Sequence, residues 1–284
     1  MNALKFIKAK QKAWATINNI TLTGSKADRG ERCYTKEGMD NFFRAISDDT
    51  YREIKSGDGN ELGDGVYPGK IQALHSSSAL TVNAFDYWRN LDDKSGIAKA
   101  LLIPSININD ISFEKKYSIL KDSNIPPNID VVFKYRNGDC CAIECKFTEP
   151  FNKRGEEHGL KGKYLTGFDS WSQIPSIHKL AQSISPEDNI YKYLQPGQLI
   201  KHIMGLLKNY GNAKDRFRLI YLYYDAFGEE GYCHEREIKD FKLIAQKDGI
   251  RFQSITWQEV ILNLLKNPEK THRAYTRYLF SRYL

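Results

Sequence analysis

Two apolar runs joined by Asn137-Gly138-Asp139 constrain this 284-residue chain more than any other feature. The first is Asn128-Ile129-Asp130-Val131-Val132-Phe133, and the second is Cys141-Ala142-Ile143-Glu144-Cys145-Lys146. An Asn-Gly pair between β-branched and aromatic stretches is a strong hairpin signal, because both residues tolerate the positive φ that a tight turn needs. The runs are therefore expected to be neighbouring antiparallel strands. Side chains alternate across a strand. Glu144 and Lys146 then share one face, while Ile143, Cys145 and Phe147 share the other. An acid and a lysine in an apolar strand, beside a strand bearing Asp130, are a costly way to build a core. A bound divalent cation gives them a reason to be there.

These residue types suit phosphodiester hydrolysis. Asp130 and Glu144 can hold Mg²⁺, a hard cation that prefers oxygen ligands and keeps several waters. Such a metal lowers the pKa of a bound water and stabilises charge on phosphate oxygens. Lys146 would orient the attacking water or offset charge in the transition state. The backbone carbonyl of Cys145 would lie close enough to complete the coordination sphere. The competing interpretation is a solvated Glu-Lys pair on an exposed strand, which is a common pattern.

Asp130, a gap of 13 residues, and then Glu144-Cys145-Lys146 in an apolar strand resembles the PD-(D/E)XK nuclease superfamily, which includes most type II restriction endonucleases. Pro127 departs from that pattern by standing three residues before the acid instead of one. In many members a Gln or Glu on a helix after the catalytic strands faces the active site, and Gln198 is the best match. Over residues 74–225, Ser77-Ser78, Asn83, Phe85, Phe113-Glu114, Asp130, Glu144-x-Lys146-x-x-Glu149 and Gln198-Leu199 follow the order of a bacterial, restriction-endonuclease-like branch. The resemblance implies an α/β fold, a mixed β-sheet core flanked by helices, here with an N-terminal helical extension. It implies Mg²⁺-dependent cleavage of double-stranded DNA, with Mn²⁺ as a substitute. It makes Asp130, Glu144 and the Cys145 carbonyl metal ligands, and adds Lys146 and Gln198 to the catalytic set.

The rest of the chain is consistent with that architecture. The first 55 residues look helical, including residues 39–46, with a break at Gly24 to Gly30. Residues 56–70 carry five glycines and form a loop. A phosphate loop ending at Gly69-Lys70 is excluded, because Asp64 and Ile71 stand where Gly and Ser or Thr are required. Serines 76–78 cap a helix whose stripe is Leu80, Ala84, Tyr87, Trp88 and Leu91, and Asn83 on that stripe needs a partner. Residues 111–120 read as a strand with Phe113, Lys115 and Tyr117 on one face. Glu114 is then either an extra acid near the metal or a solvent-facing residue on an edge strand. Residues 148–170 are rich in Gly, Lys and Arg without periodicity, as in a loop that meets a phosphate backbone or simply faces solvent. Leu199, Ile203, Leu206 and Tyr210 mark a helix starting near Pro196-Gly197, with Gln198 in its first turn. Strands at 217–224 and 250–257 alternate with helices at 237–247 and 258–266, which argues partly parallel pairing. These divisions give an N-terminal extension over 1–70, a nuclease core over 71–265 and a basic C-terminal helix over 266–284 in the same domain. The tail mixes five Lys/Arg with Tyr275, Tyr278 and Tyr283, a composition that grips nucleic acid in some proteins and covers a plain surface helix in more.

Composition narrows the class. Hydrophobic residues at 41% supply a real core, so disorder is not expected. A net charge of +7 suits a polyanionic partner without requiring one. The five cysteines form no CxxC pair and read as reduced, buried small hydrophobes in a cytoplasmic protein. No apolar run reaches membrane-spanning length, so no membrane partner is expected. Cutting both strands of a duplex calls for two active sites, which makes a homodimer reasonable. Two other readings of the chain are a catalytically inactive nucleic-acid-binding protein on the same fold, and an unrelated α/β enzyme with a structural Glu-Lys pair. The absence of a Gly-rich nucleotide loop after a strand counts against the second.

Overall fold

The structure is a computed structural model that describes residues 2–284 except 26–29, 58, 64, 66, 121–125, 153–158 and 267–268. Its centre is a five-stranded mixed sheet whose strands lie side by side in chain order. The strands are β3 (Ile108–Lys116), β4 (Asn128–Tyr135), β5 (Cys140–Lys146), β6 (Phe217–Tyr223) and β7 (Phe252–Thr256). The β3-β4 and β4-β5 pairs are antiparallel, and the β5-β6 and β6-β7 pairs are parallel. The expected hairpin is present in the register Val131↔Ile143 to Lys134↔Cys140. Gly138 turns it at φ +83°, and its N–H donates to the Tyr135 carbonyl at 2.9 Å.

Strand β5 is buried on both faces, as expected for a strand with a parallel neighbour inside a helix-covered sheet. Cys141, Ile143, Cys145 and Phe147 enter one core, while Cys140 and Ala142 enter the other. Among helices, α1 (Ala3–Ile17), α3 (Ser77–Arg89), α9 (Trp257–Lys266) and α10 (Arg273–Tyr283) contribute to the first core. The second takes residues from α6 (Pro175–Ser183), α7 (Pro196–Asn209) and α8 (Glu229–Lys247). The fold is thus the expected mixed α/β sheet flanked by helices, with a helix at its N-terminus. Helix α3 starts at its serines: the Ser76 hydroxyl accepts the Ala79 N–H at 3.1 Å. Asn83 finds its partners, accepting the Phe43 N–H at 2.7 Å and donating to the Asn41 carbonyl at 2.9 Å.

Three expectations are corrected. The first 55 residues are not all helical. After α1 come β1 (Leu22–Gly24) and β2 (Arg32–Thr35), a separate two-stranded antiparallel pair, and then α2 (Asp48–Ser56). Residues 39–46 form no α-helix; a single 3₁₀ turn, Gly38–Asn41, stands in its place. Long-range bonds outcompete the local ones there, because the Asn41 side chain donates to the Ile71 carbonyl at 2.6 Å and to that of Ala73 at 3.0 Å. In β3, Phe113 enters the first core but Tyr117 the second, so they do not share a face. Glu114 between them has φ +49°, a left-handed conformation that interrupts the alternation. In the tail, Tyr275, Tyr283 and Arg282 are buried, so these side chains do not form a surface for a ligand.

Among the described residues no helix is long and apolar enough to cross a membrane. Cys233 is half-buried and the other four cysteines are buried. Lys153 and Arg154 of the basic loop lie outside the described residues.

Candidate active site

One step beyond the Val131↔Ile143 pair, the β4-β5 ladder gives way to side chains. Asp130 follows on β4, and its Oδ2 accepts the Cys145 N–H at 2.7 Å. The next acid on β5 is Glu144, which is fully buried. Lys146 donates to Glu144 Oε1 at 2.5 Å and to Gln198 Oε1 at 3.1 Å. His202 donates from Nε2 to Glu144 Oε2 at 2.8 Å. Gln198 and His202 are one turn apart on α7, so one helix face reaches both members of the Glu-x-Lys triplet. The Cys145 carbonyl accepts from the Ser77 hydroxyl at 3.0 Å, and the Trp257 indole donates to the Lys146 carbonyl at 3.1 Å. These two bonds tie the end of β5 to α3 and to the start of α9.

Glu114 is opposite Asp130 on β3 and accepts from the Asn128 amide at 2.9 Å. Its left-handed backbone is held from behind. Glu53 on α2 accepts the Phe113 N–H at 2.9 Å and pairs with Arg89 at 2.6 Å. A cleft of about 690 Å³ lies over this floor, lined by Glu114, Asp130, Cys145, Lys146 and Gln198. Glu61, Glu149, Lys161, Lys163, Tyr164 and Lys201 also line it. Glu144 does not line the cleft but lies beneath it.

The carboxyls differ sharply in their environments. Burial, then the charges of Glu144 and Glu114, push the Asp130 carboxyl well above the usual range, with Lys146 working against them. Burial also disfavours the Glu144 anion, but Lys146 and His202 overcome it and hold Glu144 at about 2. Burial pulls the Lys146 ammonium down, and Glu144 and Asp130 more than restore it, so it titrates above its ordinary value. At neutral pH the site therefore holds an anchored Glu144–Lys146 ion pair beside a carboxyl, Asp130, that lacks enough positive charge.

That imbalance is what a cation would correct. The donors are oxygens only, a set that suits Mg²⁺ or Mn²⁺ and not a soft metal. Among the described residues no three His, Cys, Asp or Glu side chains enclose a metal by themselves. Mg²⁺ needs no such cage, since it commonly binds through one or two carboxylates and keeps its waters. A carboxylate offers about four acceptor sites, so the bonds from Lys146 and His202 leave room on Glu144.

The structure thus gathers Asp130, Glu144, Cys145, Lys146 and Gln198 around one point, with Glu114 beside them. Sequence reasoning missed His202, Lys201, Tyr164 and Glu61. The spacing of His202 from Gln198, four residues along an amphipathic helix, is a signal that could have found it. Glu61 has no local signal. It reaches the cleft because its backbone carbonyl accepts the Ile71 N–H at 3.0 Å, which folds the Gly-rich loop back.

A family model described as "Restriction Endonuclease associating with ARP" matches residues 8–284. No curated protein and no solved structure matches the chain.

Proposed function

The chain belongs to the family of restriction endonucleases associating with ARP, and from that premise we propose that it is a Mg²⁺-dependent endonuclease hydrolysing DNA phosphodiester bonds, of the type II restriction kind, with a PD-(D/E)XK active site. The observation that carries the proposal is the raised Asp130 carboxyl facing a Glu144 already locked by Lys146 and His202. Two carboxyls whose charges act on each other in a buried site are unfavourable without a shared cation.

Asp130, Glu144 and the Cys145 carbonyl would hold the metal, with Glu114 in reach of its waters. The bound Mg²⁺ would supply a more acidic water and stabilise charge on the scissile phosphate. The chain's own residues do the rest. Lys146, fixed between Glu144 and Gln198, presents a full positive charge at the cleft floor, where negative charge grows in the transition state. The Gln198 amide oxygen accepts from Lys146 and leaves its NH₂ to hold a water or a phosphate oxygen. His202 orients Glu144 from the side away from the cleft. The test is incubation of supercoiled plasmid with the protein in Mg²⁺, in Mn²⁺ or in EDTA. Nicked or linear product with either metal and none in EDTA is expected. Cleavage that persists in EDTA, or intact plasmid under all three conditions across varied sequences, overturns the reading.

A further inference from the structure

We propose that Lys161, Lys163 and Lys201, which line the cleft together with Tyr164, seat a backbone phosphate of the nucleic acid adjacent to the one being cut. This inference rests on the endonuclease reading and deepens it. Lys201 follows Gln198 by three residues on α7 and lines the same cleft. Unlike Lys146, Lys201 pairs with no carboxylate among the described residues. The Lys163 and Lys201 ammonium groups lie 5.3 Å and 6.0 Å from the centroid of the Tyr164 ring. Tyr164 is itself buried, so it is a fixed platform.

Lys163 and Lys201 are like charges beside one ring, and an anion between them relieves their repulsion. Burial holds the Lys201 ammonium below its ordinary pKa; Glu144 works against it, and Lys161 and Lys163 add to it. Elsewhere in the cleft lining the sign reverses. Burial raises the Glu61 carboxyl, and the charge of Glu149 adds to the effect. A polyanion entering such a cleft is repelled by Glu61 and Glu149 and drawn to the lysines. Lys146 is already committed to Glu144 and Gln198 at the reaction centre. The lysines therefore serve a different phosphate. Phosphate contacts of this kind position a strand without reading its sequence.

The test compares wild type with Lys161→Gln/Lys163→Gln/Lys201→Gln. A matched control, Lys239→Gln/Lys242→Gln/Lys247→Gln, removes the same charge from α8, and none of those three residues lines the cleft. Binding of a short fluorescent DNA duplex is followed by anisotropy in EDTA over a range of KCl. The cleft variant should bind on the order of tenfold more weakly, with the slope of log K against log salt shallower by about 0.9 for each phosphate no longer neutralised. The control should stay close to wild type, and circular dichroism should show all three proteins folded. In Mg²⁺, Lys201→Gln alone should raise KM with little change in kcat. Equal losses in the two triple variants reduce the effect to net charge and overturn the subsite. Duplex binding that survives in the cleft variant overturns the subsite while leaving the endonuclease reading intact. Wild-type protein that neither binds nor cuts DNA removes both.

Discussion

Two of the places where this protein buries charge are built in opposite ways. Under the C-terminal helix, Arg282 is fully buried without a carboxylate partner among the described residues. Neutral acceptors use its donors: the Asn41 carbonyl at 2.9 Å, the Asn41 side-chain oxygen, the Tyr278 hydroxyl at 2.5 Å and Gln11 Oε1 at 3.2 Å. Its guanidinium also lies 4.3 Å from the Trp14 ring centroid and 5.0 Å from that of Tyr283. Every one of these groups is matched, and the knot ties α1, α10 and the 3₁₀ turn together. In the cleft Glu144 is matched by Lys146, but Asp130 beside it is not. Asp130 faces Glu144 and Glu114, and Glu114 keeps a left-handed backbone at a cost of about 1 kcal/mol or more. A satisfied polar network makes a fold rigid and specific, while unsatisfied charge in an open cleft is a standing demand for a ligand.

The sharpest break in that comparison is to remove the cleft's central cation. Lys146→Ala should cut plasmid cleavage by about 10²- to 10³-fold, the usual worth of one preorganised transition-state donor, while duplex binding in EDTA changes little. Unchanged cleavage would remove Lys146 from the proposed mechanism. The knot should respond in the reverse manner. Arg282→Met strands the Asn41 and Gln11 acceptors, and urea unfolding should show a loss of about 3 kcal/mol. Specific activity per folded molecule should be retained at low temperature. A variant as stable as wild type would show that the knot contributes nothing net.

Next in size is the joint between helix and carboxylate. His202→Ala should raise the Mg²⁺ concentration needed for half-maximal cleavage by roughly 10- to 100-fold, as second-layer partners of metal ligands do. His202→Gln, which keeps a donor, should recover part of it. A shift in melting temperature with no change in Mg²⁺ dependence would make His202 a packing residue only.

The difference between the two regions also explains what the sequence can disclose. The hairpin, the Glu-x-Lys triplet and the α7 stripe are local patterns, with periods of two and 3.6 residues, so they are legible without a structure. Gln198 is legible for the same reason, being a polar residue at the head of an apolar stripe. Arg282 is not, because its partners Gln11 and Asn41 are some 271 and 241 residues away. From sequence the tail reads as an exposed basic and aromatic strip. The slip of phase in β3 is hidden too. Nothing about Glu114 marks it as left-handed until Glu53 is seen holding the neighbouring N–H from α2. The apolar spacing of residues 39–46 fits a helix, and tertiary bonds from Asn41 and Asn83 override it.

The smallest expected effect tests the unmatched charge itself. In the native protein Asp130 carries a raised pKa, through burial first and then its acidic neighbours. The folded state thus holds its proton more tightly than the unfolded chain, whose aspartates ionise near the ordinary value. Between those two pKa values the native state binds more protons, so stability falls as pH rises. The penalty is complete above the folded pKa and absent below the unfolded one. Asp130→Asn, which can still accept the Cys145 N–H, removes it. In EDTA at neutral pH the variant should be more stable than wild type by on the order of 1 kcal/mol, as when a functional site is relaxed. The gain should vanish as pH drops toward the ordinary aspartate range. Adding Mg²⁺ should reverse the ranking, because a ligand stabilises only the protein that binds it, and Asp130→Asn should not cleave. Thermal melts of the two proteins with and without Mg²⁺, at several pH values, measure all of this. A variant less stable than wild type in EDTA would mean that the Asp130 anion is welcome where it sits, and that no cation is needed between Asp130 and Glu144.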